Sequence, residues 1–117
     1  MITRLHKNSR LSRVVIHADT IYLSGLTADR LDSDVADQTA QILAKADALL
    51  AEAGSSRASL LTATIWLKDV AGDFDAMNVV WSQWIDPENP PARATVEANL
   101  ALAGILVEIQ LTGAKER

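Results

Sequence analysis

The chain has 117 residues, a formal net charge of −4 and no cysteine. That length suits a single domain, residues 1–117, with a core that needs no staples, and the missing cysteines exclude disulfides, thiolate nucleophiles and Cys-based zinc sites. The acidic balance, with no strongly basic stretch, argues against a nucleic-acid footprint, and no apolar run approaches the roughly 20 residues of a membrane helix.

The amino terminus, Met1-Ile-Thr-Arg-Leu-His-Lys-Asn8, lacks the long apolar region of a signal peptide, so a cytoplasmic protein is expected. The first structural signal follows it. Val14–Ile16 and Ile21–Leu23 are short β-rich runs around Ala18-Asp19-Thr20 and read as a hairpin, closed by Ser24-Gly25. Asp32-Ser33-Asp34 offers N-caps for a helix, in which Val35, Thr39, Ile42, Leu43, Ala46, Leu49, Leu50 and Ala53 recur at helical spacing until Gly54. Leu61, Ala63, Ile65 and Leu67 alternate with Thr62, Thr64, Trp66 and Lys68, giving a strand with two distinct faces. Gly72 and Asp73 introduce a second helix, with Phe74, Met77, Val80, Trp81 and Trp84 on one stripe and Pro87, Pro90 and Pro91 ending it. Two strands close the chain, about Arg93–Ala98 and Ile105–Leu111. The expected pattern is α+β, ββαβαββ, with two helices able to cover only one face of the sheet. The face carrying Thr62, Thr64 and Trp66 then needs another cover, most simply a second subunit.

The chemistry-bearing residues fall late in the chain. Arg93 opens the fourth β-run, and Glu108 sits fifteen positions later inside the last apolar run. Arginine grips a carboxylate with two parallel hydrogen bonds, and a carboxylate in an apolar strand suits water or proton handling. A plain Arg–Glu ion pair, or a strand-end salt bridge, would satisfy the same residues without any function. In a simple terminal hairpin the two side chains would face each other. Gly25 permits close backbone approach to an anion or carbonyl, although Ser24-Gly25 is also an ordinary turn; Asn78 serves either an internal hydrogen bond or a ligand. His6 and His17 have no metal-ligand company at useful spacing, and no nucleophile elbow or phosphate-binding glycine loop is present.

Taken in order, Ile-Tyr-Leu-Ser24-Gly25, Gln38-Thr39, Ala53-Gly54, Thr64-Ile-Trp-Leu-Lys-Asp69, Asp73-Phe74 with Asn78, Pro-Ala-Arg93, Val96-Glu97 and Val107-Glu108-Ile109 resemble the Rid family, the reactive-intermediate deaminases also called YjgF or RutC. With Val14-Val-Ile-His17, the likeness is greatest to its small YoaB-like branch. The resemblance implies a chorismate-mutase-like fold with one mixed sheet, and a homotrimer whose sheets pack inward. It also implies clefts in which Glu108, Ser24 and Gly25 of one subunit meet Arg93 of the next, with Asn78 and Thr95 among the substrate-binding residues. The implied activity is cofactor-free hydrolysis of 2-imino acids or enamines to 2-keto acids and ammonia, with Arg93 as anchor and Glu108 as acid/base. Non-catalytic binding of a keto acid by the same trimer is the alternative; a ribonuclease reading is opposed by the acidic balance. The sequence departs from the family pattern at Leu11, where a tyrosine is common, at Leu26, at Thr95 in place of a cysteine, and at Gln110.

Overall fold

The structure, a computed structural model, describes residues 1–117. Its elements in chain order are β1 (Ile2–Lys7), β2 (Ser12–His17), β3 (Thr20–Leu23), α1 (Val35–Glu52), β4 (Leu60–Leu67), α2 (Val70–Trp84), β5 (Ala92–Glu97) and β6 (Val107–Ala114). The expected β2–β3 hairpin forms around Ala18, which takes a left-handed φ of 53°. α1 is capped by Asp34, whose side chain accepts from the Asp37 N–H at 2.9 Å, and it ends before Gly54 at φ 87°. Both ends therefore follow local side-chain and glycine chemistry. α2 starts earlier than the sequence suggests. Asp69 is its N-cap, accepting from the Gly72 N–H at 3.1 Å, so Gly72 and Asp73 lie inside the first turn.

Two features were not expected from the residues. The amino terminus forms a further strand, β1, antiparallel to β2. The last two strands are not a hairpin: one sheet of six strands runs β1-β2-β3-β6-β4-β5. β6 inserts antiparallel between β3 and β4, and β5 pairs parallel to β4 at the far edge. The β4–α2–β5 unit is thus a parallel crossover, which needs the length of a helix to return the chain.

Both helices contact each other and lie on one side of the sheet. Ile21, Leu23, Ile65, Leu67, Ile109 and Leu111 from the sheet, with Ile42, Leu50 and Met77 from the helices, are at most 2% exposed and form the core. The opposite side has no helix. There Tyr22, Thr62 and Gln110 are exposed, and Thr64, Trp66, Glu108 and Thr112 are half-buried. Neither helix is long and apolar enough to cross a membrane.

Candidate active site

The register puts Arg93 and Glu108 on opposite faces of the sheet. Arg93 pairs with Ala63 and Glu108 with Trp66, adjacent strands sharing side-chain direction at paired positions. Ala63 is buried under the helices, and Trp66 belongs to the open face. The two residues are also separated by the full width of β4. Two strand spacings and three residues of rise place their Cα atoms about 14 Å apart. The direct ion pair therefore does not form.

Arg93 stands on the edge strand under α2. One guanidinium nitrogen, Nη1, donates to Asn78 Oδ1 at 2.7 Å, and the guanidinium carbon lies 5.5 Å from the Trp81 ring centre and 5.9 Å from that of Phe74. No carboxylate lies within ion-pair distance of it. Burial pulls its pKa down from the usual arginine value, and no neighbouring anion opposes that pull. The side chain remains a cation at any working pH. The result is a half-buried positive charge with a neutral partner, an aromatic frame and two nitrogens, Nε and Nη2, still free. Thr95, two residues along the same face, has a buried hydroxyl with no hydrogen-bond partner. Glu97 continues that row and accepts from the Val70 N–H at 3.1 Å, tying β5 to the start of α2.

On the open face Glu108 meets Ser24-Gly25. A β-carbon on Gly25 would collide with the Glu108 carboxylate and lie 3.1 Å from its Cδ. A side chain at this position would have to displace the flexible end of Glu108 from where it lies, and no left-handed φ is involved. The Gly25 N–H has no acceptor within the chain, whereas Ser24 N–H donates to Arg13 O and Leu26 N–H to Ile109 O. The Ser24 hydroxyl and that of Thr95 are the only buried side-chain polar atoms left without a partner. Each therefore adjoins one half of the candidate site. Gln38 prepares this region from below. Fully buried, it donates to Gly104 O at 2.9 Å and accepts from the Leu106 N–H at 3.0 Å, fixing the segment that leads into Glu108.

The structure therefore groups the expected residues into two sets: Arg93, Asn78 and Thr95 at the β5 edge, and Ser24, Gly25 and Glu108 on the open face. Phe74 and Trp81 belong with the first set. Their place on the apolar stripe of α2 marked them for the core, and only the position of Arg93 shows that they also frame a cation. Of the two sets only Asn78 lines one of the chain's three surface grooves, an open one on the outer side of α2 that contains neither Arg93 nor Glu108, so neither set alone encloses a ligand.

This arrangement defines a small α+β protein with a helix-backed mixed sheet and an open, polar sheet face. A family model described as Endoribonuclease L-PSP matches residues 1–115. The RutC family protein YoaB of Escherichia coli K12 is 42% identical over 113 residues, covering 97% of each chain. A YjgF-family member from Neisseria meningitidis has a crystal structure that superposes with a TM-score of 0.96 at 40% identity, covering 100% of this chain and 97% of that one. The crystal structure of a Rid-family protein from Yersinia pestis gives a TM-score of 0.85 at 25% identity, over 92% and 90% of the chains. The chain belongs to the Rid family, also called YjgF or RutC. The YoaB-like resemblance read from Val14–His17 agrees with the 42% identity to that protein.

Proposed function

We propose that this protein is a homotrimer that hydrolyses 2-imino acids, or the enamines that tautomerise to them, to 2-keto acids and ammonia. The observation that carries this reading is the pair of uncompensated half-sites. A guanidinium without a carboxylate stands at one edge of the sheet, and a carboxylate beside a free N–H stands on the other face. They cannot meet within one chain. A rotational assembly that sets the β5 edge of one copy against the open face of the next brings them together and repeats the site in every copy.

In that site Arg93 holds the substrate carboxylate through the nitrogens that Asn78 leaves free. The Gly25 N–H and the Ser24 hydroxyl orient the other end of the group, and Thr95 completes the arginine side. Glu108 takes a proton from water as the water oxygen bonds to the imine carbon and the C=N electron pair moves to nitrogen. Glu108 passes that proton to nitrogen; as the C–N bond breaks and ammonia leaves, Glu108 accepts the remaining proton of the carbinolamine hydroxyl and the carbonyl forms. A protonated imine is already electrophilic, so holding water, carboxylate and proton acceptor in place is the main demand. The reaction needs no organic cofactor.

The test is subunit complementation, followed as decay of 2-iminopropanoate. Arg93→Met and Glu108→Gln should each lower kcat/KM by at least about tenfold, the range expected for losing a charged hydrogen bond. Trimers assembled from an equal mixture of the two variants should regain roughly one quarter of the wild-type sites, since each site takes one residue from each neighbour. A mixture as inactive as its components, from a confirmed mixed trimer, would show that the site is not shared. Arg93-dependent binding of pyruvate with no imine hydrolysis would leave the binding function and remove the enzymatic one.

A further inference from the structure

Charge is distributed unevenly along the chain. Four of its eleven Lys and Arg residues lie in residues 1–18, which contain no Asp or Glu; the other ninety-nine residues hold seven cations against fifteen acids. The fold gathers those four, Arg4, Lys7, Arg10 and Arg13, on the exposed β1–β2 hairpin at the sheet edge. None of their side chains makes an ion pair or a hydrogen bond. The amino-terminal hairpin is thus a short basic segment in an otherwise acidic chain, and its local field favours small anions nearby.

Beside it lies a groove of about 360 Å³ between the hairpin and α1, at the lower end of the size range of small-molecule sites, about 300–1,000 Å³. Leu26, Ala48 and Leu49 give it an apolar floor, Arg13, His6 and Lys45 supply cations or donors at its wall, and Asp29, paired to Lys45, is the one carboxylate there. Two of the three cations or donors are already engaged. Lys45 donates to Thr27 O at 2.7 Å and to Asp29 Oδ1 at 2.6 Å, and His6 Nε2 lies 2.8 and 3.0 Å from the two Glu52 oxygens. Arg13 alone makes neither an ion pair nor a side-chain hydrogen bond, and the nearby Asp29 carboxylate that feels its charge is already paired to Lys45. His6 reaches Glu52 from a left-handed φ of 52° within β1, which costs conformational energy in a non-glycine residue. The strand accepts that cost at the residue that bridges the hairpin to α1.

We infer that this groove is a second ligand site, for a small organic anion with an apolar body: the body on Leu26, Ala48 and Leu49, the anionic head on Arg13. It is distinct from the half-sites above and shares no residue with them.

The probes are anilinonaphthalene sulfonate, with decanoate and inorganic phosphate as competitors. The expected result is one sulfonate bound per chain, displaced by decanoate at a concentration at least about tenfold below that of phosphate, since phosphate offers a head without a body. Arg13→Met, which keeps the apolar stem, and Ala48→Trp, which fills the floor, should each weaken the probe by at least about tenfold. Both positions are exposed, so unchanged melting temperatures would verify that the variants fold. Arg93→Met should bind the probe as wild type does. Wild-type affinity in both groove variants would overturn the proposal, as would loss of binding in Arg93→Met. Equal displacement by phosphate and decanoate would also overturn it.

Discussion

The helix-covered and open faces of the sheet are made from alternate residues of the same strands. On β4, Ala63, Ile65 and Leu67 are buried, whereas Thr62 is exposed and Thr64 and Trp66 are half-buried. On β6, Val107, Ile109 and Leu111 oppose Glu108, Gln110 and Thr112 in the same way. The covered face concentrates apolar area, and its burial supplies most of the folding free energy at about 25 cal/mol per Å². The open face keeps threonine, glutamine, tyrosine and an unpaired glutamate, a poor core and a serviceable lining. Arg93 stands outside that division. It lies on the covered side, but at the edge strand, where the aromatic side chains of α2 shield a cation without neutralising it. One face thus stabilises the chain, and the candidate site residues sit on the other face and along the rim.

The largest expected effect tests that division directly. Ile65→Ala removes a fully buried side chain and should lower the unfolding free energy by about 2–5 kcal/mol, read by denaturant melts. The adjacent Thr64→Lys should leave the far-UV spectrum intact and act on assembly instead. In the proposed trimer it places a lysine from every copy in an inward-facing layer, where desolvation and mutual repulsion oppose association. Sedimentation should shift from three chains toward one. If Thr64→Lys keeps both its sedimenting mass and its melting curve, the open face is solvent-facing and the inward packing is wrong.

Much of this division was legible in the sequence, and what was not has physical causes. The 2.0-residue alternation from Leu61 to Lys68 and the helical spacing from Val35 to Ala53 report local burial, so those elements fell where expected. β1 escaped because it is an edge strand with one packed residue. Only Leu5 turns toward the core, and Arg4, His6 and Lys7 leave no apolar rhythm to read. The position of β6 between β3 and β4 escaped for another reason: alternation says which residues share a face, but not which strand lies alongside. That ambiguity hid the placement of Arg93 and Glu108 on opposite faces. The mixed sheet implied by the family resemblance allows the last two strands to lie apart, which periodicity alone does not show. The start of α2 moved to Asp69 because an aspartate side chain capping Gly72 outcompetes a start at the glycine itself.

An intermediate effect is expected where a polar group crosses to the covered side. Gln38 is fully buried among apolar residues, yet it satisfies Gly104 O and Leu106 N–H. Gln38→Leu is close in volume but leaves both backbone groups without partners, at a cost of about 1–3 kcal/mol. Because these bonds hold the segment entering β6, hydrogen exchange at Ile105–Val107 should accelerate more than exchange in β2. Uniform acceleration would show that Gln38 supports the core as a whole rather than the approach to Glu108.

The smallest effect concerns acid, and it too belongs to the covered side and its loops. Asp29 is held below the usual carboxylate range chiefly by its hydrogen bond from Lys45, Asp37 by hydrogen bonds from Ser33 and Gln41, Asp86 by Asn89, and Glu116 by Ser56 and Ser59. A carboxyl with a lowered folded pKa binds fewer protons folded than unfolded. Its contribution is present above the unfolded value, about 4, and is lost as pH falls through and below it. Asp73 has the opposite sign. Burial and then the charges of Asp69 and Asp34 raise its pKa, so its ionised form opposes folding and protonation relieves that as pH falls. All five groups are solvent-accessible, so each contribution is small. The melting temperature should stay flat from pH 8 to about pH 5 and decline below about pH 4. Lys45→Met should flatten the decline by releasing Asp29. If the decline is as steep in Lys45→Met as in wild type, Asp29 contributes nothing measurable, and the acid response rests on the remaining helix and carboxy-terminal carboxylates.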